Sequence, residues 1–118
     1  MKIISIKAHQ FLDYATVVIF ALLPSLFKFS GVPAYLSYIL AVVHLLMTLL
    51  TTFSTRKPKI IPLKLHKLVE TIVGPALLVC PWILGFSAEA TPRDVFIGMG
   101  IIIILVGFLS DYSMDKRA

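Results

Sequence analysis

Four long apolar stretches follow one another along the chain, over residues 6–29, 33–53, 63–86 and 92–112, with short polar interruptions between them. Each reaches the ~20 residues that a helix rising about 1.5 Å per residue needs to cross a hydrocarbon layer of about 30 Å. Ser30-Gly31-Val32-Pro33 and Ser87-Ala88-Glu89-Ala90-Thr91-Pro92 read as turns, with Pro33 and Pro92 suited to the first turn of the helix that follows. Ser54-Thr55-Arg56-Lys57-Pro58-Lys59 turns the chain at the opposite end. The pattern predicts an all-α integral membrane four-helix bundle, a single membrane domain over 1–118 made of two parallel helical-hairpin repeats.

Composition agrees. Of 118 residues 58% are apolar and 14% charged, with a mean hydropathy of +0.95. Soluble domains average about 45–50% apolar, and the remaining length has no room for a soluble catalytic domain or a nucleotide-binding fold. The net charge of +5 does not point to nucleic acid, because the cations sit in the connections. Lys2, Lys7, Arg56, Lys57, Lys59, Lys64, Lys67, Lys116 and Arg117 fall at the end bearing both termini and the central connection; only Lys28 and Arg93 fall at the other. By the positive-inside rule both termini are expected in the cytoplasm, with Tyr35, Tyr38 and Trp82 near the outer interface and Tyr14 and Tyr112 near the inner one. Asp13 inside the first apolar stretch, and three further spans, argue against a cleaved signal peptide. Lone Cys80 has no intrachain partner and reads as a packing residue.

The two halves echo each other. An offset of 57 residues lays Lys2-Ile3-Ile4-Ser5-Ile6-Lys7-Ala8-His9 over Lys59-Ile60-Ile61-Pro62-Leu63-Lys64-Leu65-His66, and Asp13 over Glu70. It also matches Pro24 with Pro81, Phe29 with Phe86 and Ser30 with Ser87; beyond Ser30 the halves align only with a gap of about two residues. Repeat one is expected over about 2–54 and repeat two over about 59–113, related by an axis along the membrane normal. The string Cys80-Pro81-Trp82-Ile83-Leu84-Gly85-Phe86-Ser87 resembles the SPW-repeat family of small bacterial integral membrane proteins, with Cys80 in place of the motif's Ser. Leu23-Pro24-Ser25-Leu26-Phe27-Lys28-Phe29-Ser30 echoes it, with Ser25 where the motif has Trp. The resemblance implies a hairpin repeat in a bacterial inner membrane and brings no particular chemistry with it.

The candidate chemistry lies in the duplicated pattern Lys-x-His-x-x-x-Asp/Glu. His9 and Asp13, like His66 and Glu70, stand four apart and share a helix face, about 6 Å apart in rise. Each carboxylate lies about seven residues, or ~10 Å, inside its span, and His44 on the returning second helix lies about 13 Å from the same end. Ser37, Ala41, His44, Thr48 and Thr51 form a small, polar seam along that helix, and Gly100, Ile104, Gly107 and Asp111 a comparable one on the fourth. Buried ionisable groups in a membrane turn inward, so His9, Asp13, His44, His66 and Glu70 are expected to converge, flanked by Thr48 and Asp111.

Three uses of such a cluster compete. It can be a satisfied ion-pair and hydrogen-bond belt with snorkelling lysines. It can be a cofactor site, either for a divalent Zn, Fe, Mn or Ni ion held by imidazole and carboxylate or for a haem ligated from opposite sides by His9 and His66. It can be a proton or ion relay. A non-catalytic scaffold that forms homo-oligomers through the glycine-bearing face of the fourth helix is the alternative from another class. No nucleophile–base pair, phosphate cradle or long soluble loop appears, which argues against an enzyme with a soluble substrate. Pro75 and Pro81 are expected to kink the third span.

Overall fold

The computed structural model describes residues 2–116, so Arg117 of the cationic end lies outside the described residues. It is all-α: α1 (Ile6–Leu26), α2 (Gly31–Leu50), α3 (Leu63–Ile83) and α4 (Ala90–Leu109), joined as two helical hairpins in a bundle 46 Å long. Helices α1, α2 and α4 are long and apolar enough to cross a membrane. Helix α3 is as long, and its first two turns carry Lys64, Lys67 and Glu70. Large apolar side chains lie exposed along the helices, Phe11, Val42, Ile72 and Leu105 among them, as a lipid-facing surface requires. This is a membrane protein built as a four-helix bundle.

The helices start and stop for local reasons. Ser5 caps α1, its hydroxyl accepting from the Ala8 amide. At the hairpin-turn end both first helices of the pairs close in the same way. Phe27 N–H donates to Leu23 O and Phe29 N–H to Pro24 O; 57 residues later Leu84 N–H donates to Cys80 O and Phe86 N–H to Pro81 O. The residue between is left-handed in each, Lys28 (φ 55) and Gly85 (φ 80). These are glycine-type helix closures, with the apolar residue after the left-handed position buried as Phe29 and Phe86. Pro81 therefore stands in the closing turn, where its carbonyl ends the helix, while α3 runs unbroken through Pro75. Trp82, on the outer side of that turn, is exposed.

Backbones approach closely within each hairpin, and side chains fill the space between the hairpins. In α1/α2 the Ser37 hydroxyl donates to Phe20 O at 2.6 Å. In α3/α4 the approach is tighter: a Cβ on Gly100 would stand 2.8 Å from Gly74 O. Gly100, part of the seam expected on the fourth helix, makes its close approach inside its own hairpin, where two facing glycines let these backbones meet. Toward the turns the gap is filled by Phe20, Phe29, Phe86 and Phe96, with Phe96 5.5–6.4 Å, centroid to centroid, from the other three rings.

At the opposite end the predicted spans overrun the helices. Helix α2 stops at Leu50, three residues short of Phe53, and α4 at Leu109, three short of Tyr112. Thr51 and Ser110 are extended, and their hydroxyls donate back to Met47 O and Val106 O. The freed chain then pairs with the segment before a helix of the other hairpin. Ile61 N–H donates to Leu50 O and Thr52 N–H to Ile61 O; likewise Ile4 N–H donates to Leu109 O and Asp111 N–H to Ile4 O. These crossed pairings put both termini and the central connection at one end and lash the hairpins together.

Candidate metal centre at the terminal end

The duplicated His-carboxylate pairs begin one turn inside α1 and α3, and the crossed pairings turn those two helix starts toward each other. His9, Asp13, His66 and Glu70 meet there, buried, with one ligand atom of each lying within 4.8 Å of the others. The arrangement is a closed ring of contacts. His9 Nε2 lies 2.9 Å from Glu70 Oε2 and 3.3 Å from Asp13 Oδ1; His66 Nε2 lies 2.8 Å from Glu70 Oε1 and 3.1 Å from Asp13 Oδ2. Each imidazole faces one oxygen of each carboxylate.

The outer ring nitrogens fix the tautomers. His9 Nδ1 lies 2.7 Å from Ser110 Oγ and His66 Nδ1 2.8 Å from Thr51 Oγ1. Both hydroxyl hydrogens are already given to the Val106 and Met47 carbonyls, so the hydroxyls accept and both Nδ1 atoms carry hydrogen. Each Nε2 therefore faces the carboxylates either as a lone pair or, if the ring is cationic, as an N–H. Phe53 and Tyr112 fold over the outer faces of the rings, Phe53 at 5.3 Å from His66 and Tyr112 at 5.2 Å from His9.

The two carboxylates are not treated alike. Glu70 accepts from both imidazoles when their Nε2 atoms carry hydrogen, and from Tyr112 Oη at 3.2 Å. Burial and the Glu70 charge hold the Tyr112 phenol above the usual range. Asp13 Oδ2 is buried and has no hydrogen bond, since the one Nε2 hydrogen of His66 is directed at Glu70. His44 Nε2, 3.5 Å from Asp13 Oδ1, is likewise buried and unbonded. An unsatisfied buried carboxylate oxygen is expensive, and in a low-dielectric bundle more so.

Of the residues expected here, His9, Asp13, His44, His66 and Glu70 come together as the sequence suggests. Thr48 is buried beside them but bonds to the His44 carbonyl of its own helix. Asp111 does not join: it is exposed, its carboxylate accepting from Ser113 N and Oγ, because the chain has left the helix and turned outward there. Tyr112, expected as an interfacial ring, also reaches the site through its hydroxyl. Ser110 and Phe53 were not legible as site residues. The signal that could have found them is the repeat itself: with the two-residue gap, Ser110 falls on Thr51 and Tyr112 on Phe53. A haem between the rings does not fit, since both carboxylates occupy the space a porphyrin would need.

Residues 7–110 match the family described as the SPW repeat domain. No curated protein and no solved structure matches the chain.

Proposed function

The chain belongs to the SPW repeat domain family, and we propose that it is a bacterial inner-membrane protein, both termini cytoplasmic, that holds a divalent transition-metal ion between its hairpins. His9, His66, Asp13 and Glu70 supply two imidazole nitrogens and two carboxylates, a donor set suited to Zn²⁺ and to Fe²⁺, Mn²⁺ or Ni²⁺. Bonds of about 2.0–2.1 Å at tetrahedral angles place ligand atoms about 3.3 Å apart. One ligand atom of each residue already lies within 4.8 Å of the others, so the set needs to contract by about 1.5 Å at most to close around an ion. Charge agrees as well: two neutral imidazoles and two carboxylates sum to −2, which one dication cancels. Ser110 and Thr51 are the positioning residues that a ligating His requires on its other nitrogen.

The observation that carries this reading is the convergence of two imidazole Nε2 atoms and two carboxylates on one buried centre, where Asp13 Oδ2, 3.1 Å from His66 Nε2, has an ion-pair contact but no hydrogen bond. A transmembrane relay is less well supported. Beyond His44 the interior passes to Phe20, Leu77, Met99 and Phe96, and Ser37 spends its hydroxyl on a backbone carbonyl.

The test is titration of the detergent-solubilised chain with Zn²⁺, Mn²⁺, Fe²⁺ and Ni²⁺, with elemental analysis of the protein as purified. One equivalent of metal per chain is expected, with binding weakened at least a hundredfold by Asp13→Asn, which keeps the side-chain volume. A folded protein that takes up none of the four ions would leave the cluster a structural hydrogen-bonded belt.

A further inference from the structure

The end of the molecule that holds the His-carboxylate cluster carries a second feature, around the first turns of α3. A cavity of about 600 Å³ opens between the start of α3 and the chain after α4. Its polar wall is Lys59, Lys64 and Lys67, with no carboxylate among the described residues lining it, and its floor is apolar: Ile60, Leu63 and Met114. The neighbouring cavity of about 200 Å³ shares Lys59 and adds Lys7 and Lys57, but Asp115 is among its lining residues. The repeats differ at this place. Lys67 stands where the first half has Gln10, and Tyr112 where it has Phe53.

Lys67 and Tyr112 also line a second cavity of about 330 Å³, which has Lys2 and Glu70 at its edge and runs down the α3/α4 groove past Pro75, Ile104 and Phe108. The Lys67 ammonium lies 5.1 Å from the Tyr112 ring centre, so the two residues form the shared wall. A three-lysine pocket at headgroup level therefore continues into an apolar groove facing the lipid.

We propose that this composite pocket binds one anionic phospholipid, the phosphate headgroup on Lys59, Lys64 and Lys67 and an acyl chain along the α3/α4 groove. Three ammonium groups select an anionic head, the Glu70 carboxylate at the edge of the groove being engaged by His9, His66 and Tyr112, and the largely apolar track selects an amphiphile over a free anion. This is independent of the metal reading.

Native mass spectrometry of the full chain in detergent, with a chelator present, tests it against phosphatidylglycerol, phosphatidylcholine and inorganic phosphate. One phosphatidylglycerol per chain is expected, retained at least tenfold more tightly than phosphatidylcholine. The triple variant Lys59→Gln, Lys64→Gln, Lys67→Gln loses that preference. Lys7→Gln, Arg56→Gln, Lys57→Gln, which removes the same charge at the same end, keeps it. Phe108→Ala, at an exposed groove position, weakens phosphatidylglycerol severalfold. Thermal transitions matching the parent chain show that each variant is folded. Equal losses in the two triple variants would overturn the proposal in favour of diffuse charge. So would phosphatidylcholine retained as well as phosphatidylglycerol, or inorganic phosphate bound as tightly as the lipid.

Discussion

The two ends of the space between the hairpins are filled by opposite chemistry. Toward the turns three phenylalanines interlock around Phe96, and toward the termini two histidines and two carboxylates do the same job around a common centre. In water burial would drive the phenylalanines together, but in lipid they gain only packing, since acyl chains are as apolar as they are. The polar end cannot face lipid at all and must be enclosed. The aromatic end is thus a fit of shapes, and its cost on truncation is that of lost contacts. The polar end is a set of obligations, costly to break in part and cheap to remove altogether.

That contrast can be broken by mutation, in order of expected size. Phe96→Ala, at a position with no exposure, should cost about 4 kcal/mol in a reversible unfolding titration in mixed micelles, by opening a cavity among three rings. Glu70→Leu alone should cost about 3 kcal/mol, because it leaves His9, His66 and Tyr112 without their shared acceptor. Replacing His9, Asp13, His66 and Glu70 together by leucine should return stability to about that of the parent while abolishing metal uptake. Failure of that variant to fold would show that the polar end holds the hairpins as much as it serves a ligand.

Smaller changes sharpen the comparison between the repeats. Gly100→Ala should cost about 2 kcal/mol by pushing α3 and α4 apart, since the new Cβ meets the Gly74 carbonyl; a neutral result in the same titration would mean that the hairpin is not held there. Tyr112→Phe makes the second half resemble the first at Phe53. It should cost about 1 kcal/mol through the lost hydroxyl bond to Glu70, read by thermal unfolding. Lys28→Gly should stabilise by roughly half a kcal/mol, because a non-glycine residue sits left-handed there while the equivalent turn already has Gly85.

Much of the site was legible because its signals are local. The four-residue spacing of His9 with Asp13 and of His66 with Glu70, and their depth inside each span, follow from helical rise and from distance to the helix start. His44 was found the same way. Missing were the residues just beyond the helix ends. Nothing local to Ser110 says that it will meet His9, 101 residues away, or that Tyr112 will reach Glu70, 42 residues back. Asp111 misled for the same reason: its spacing continues the α4 seam, but the helix has already ended at Leu109.

The sequence by itself determined how many long helices the chain forms, where it turns and which side chains bring charge into the apolar stretches, because helical pitch and hydrophobic patterning act on contiguous residues. Only the tertiary structure decided that the two histidine pairs face one centre. The rotation of each helix about its own axis is set by the Gly74–Gly100 approach and the crossed pairings at Ile4 and Ile61. Those contacts join residues far apart in the chain, and no spacing along one helix encodes them.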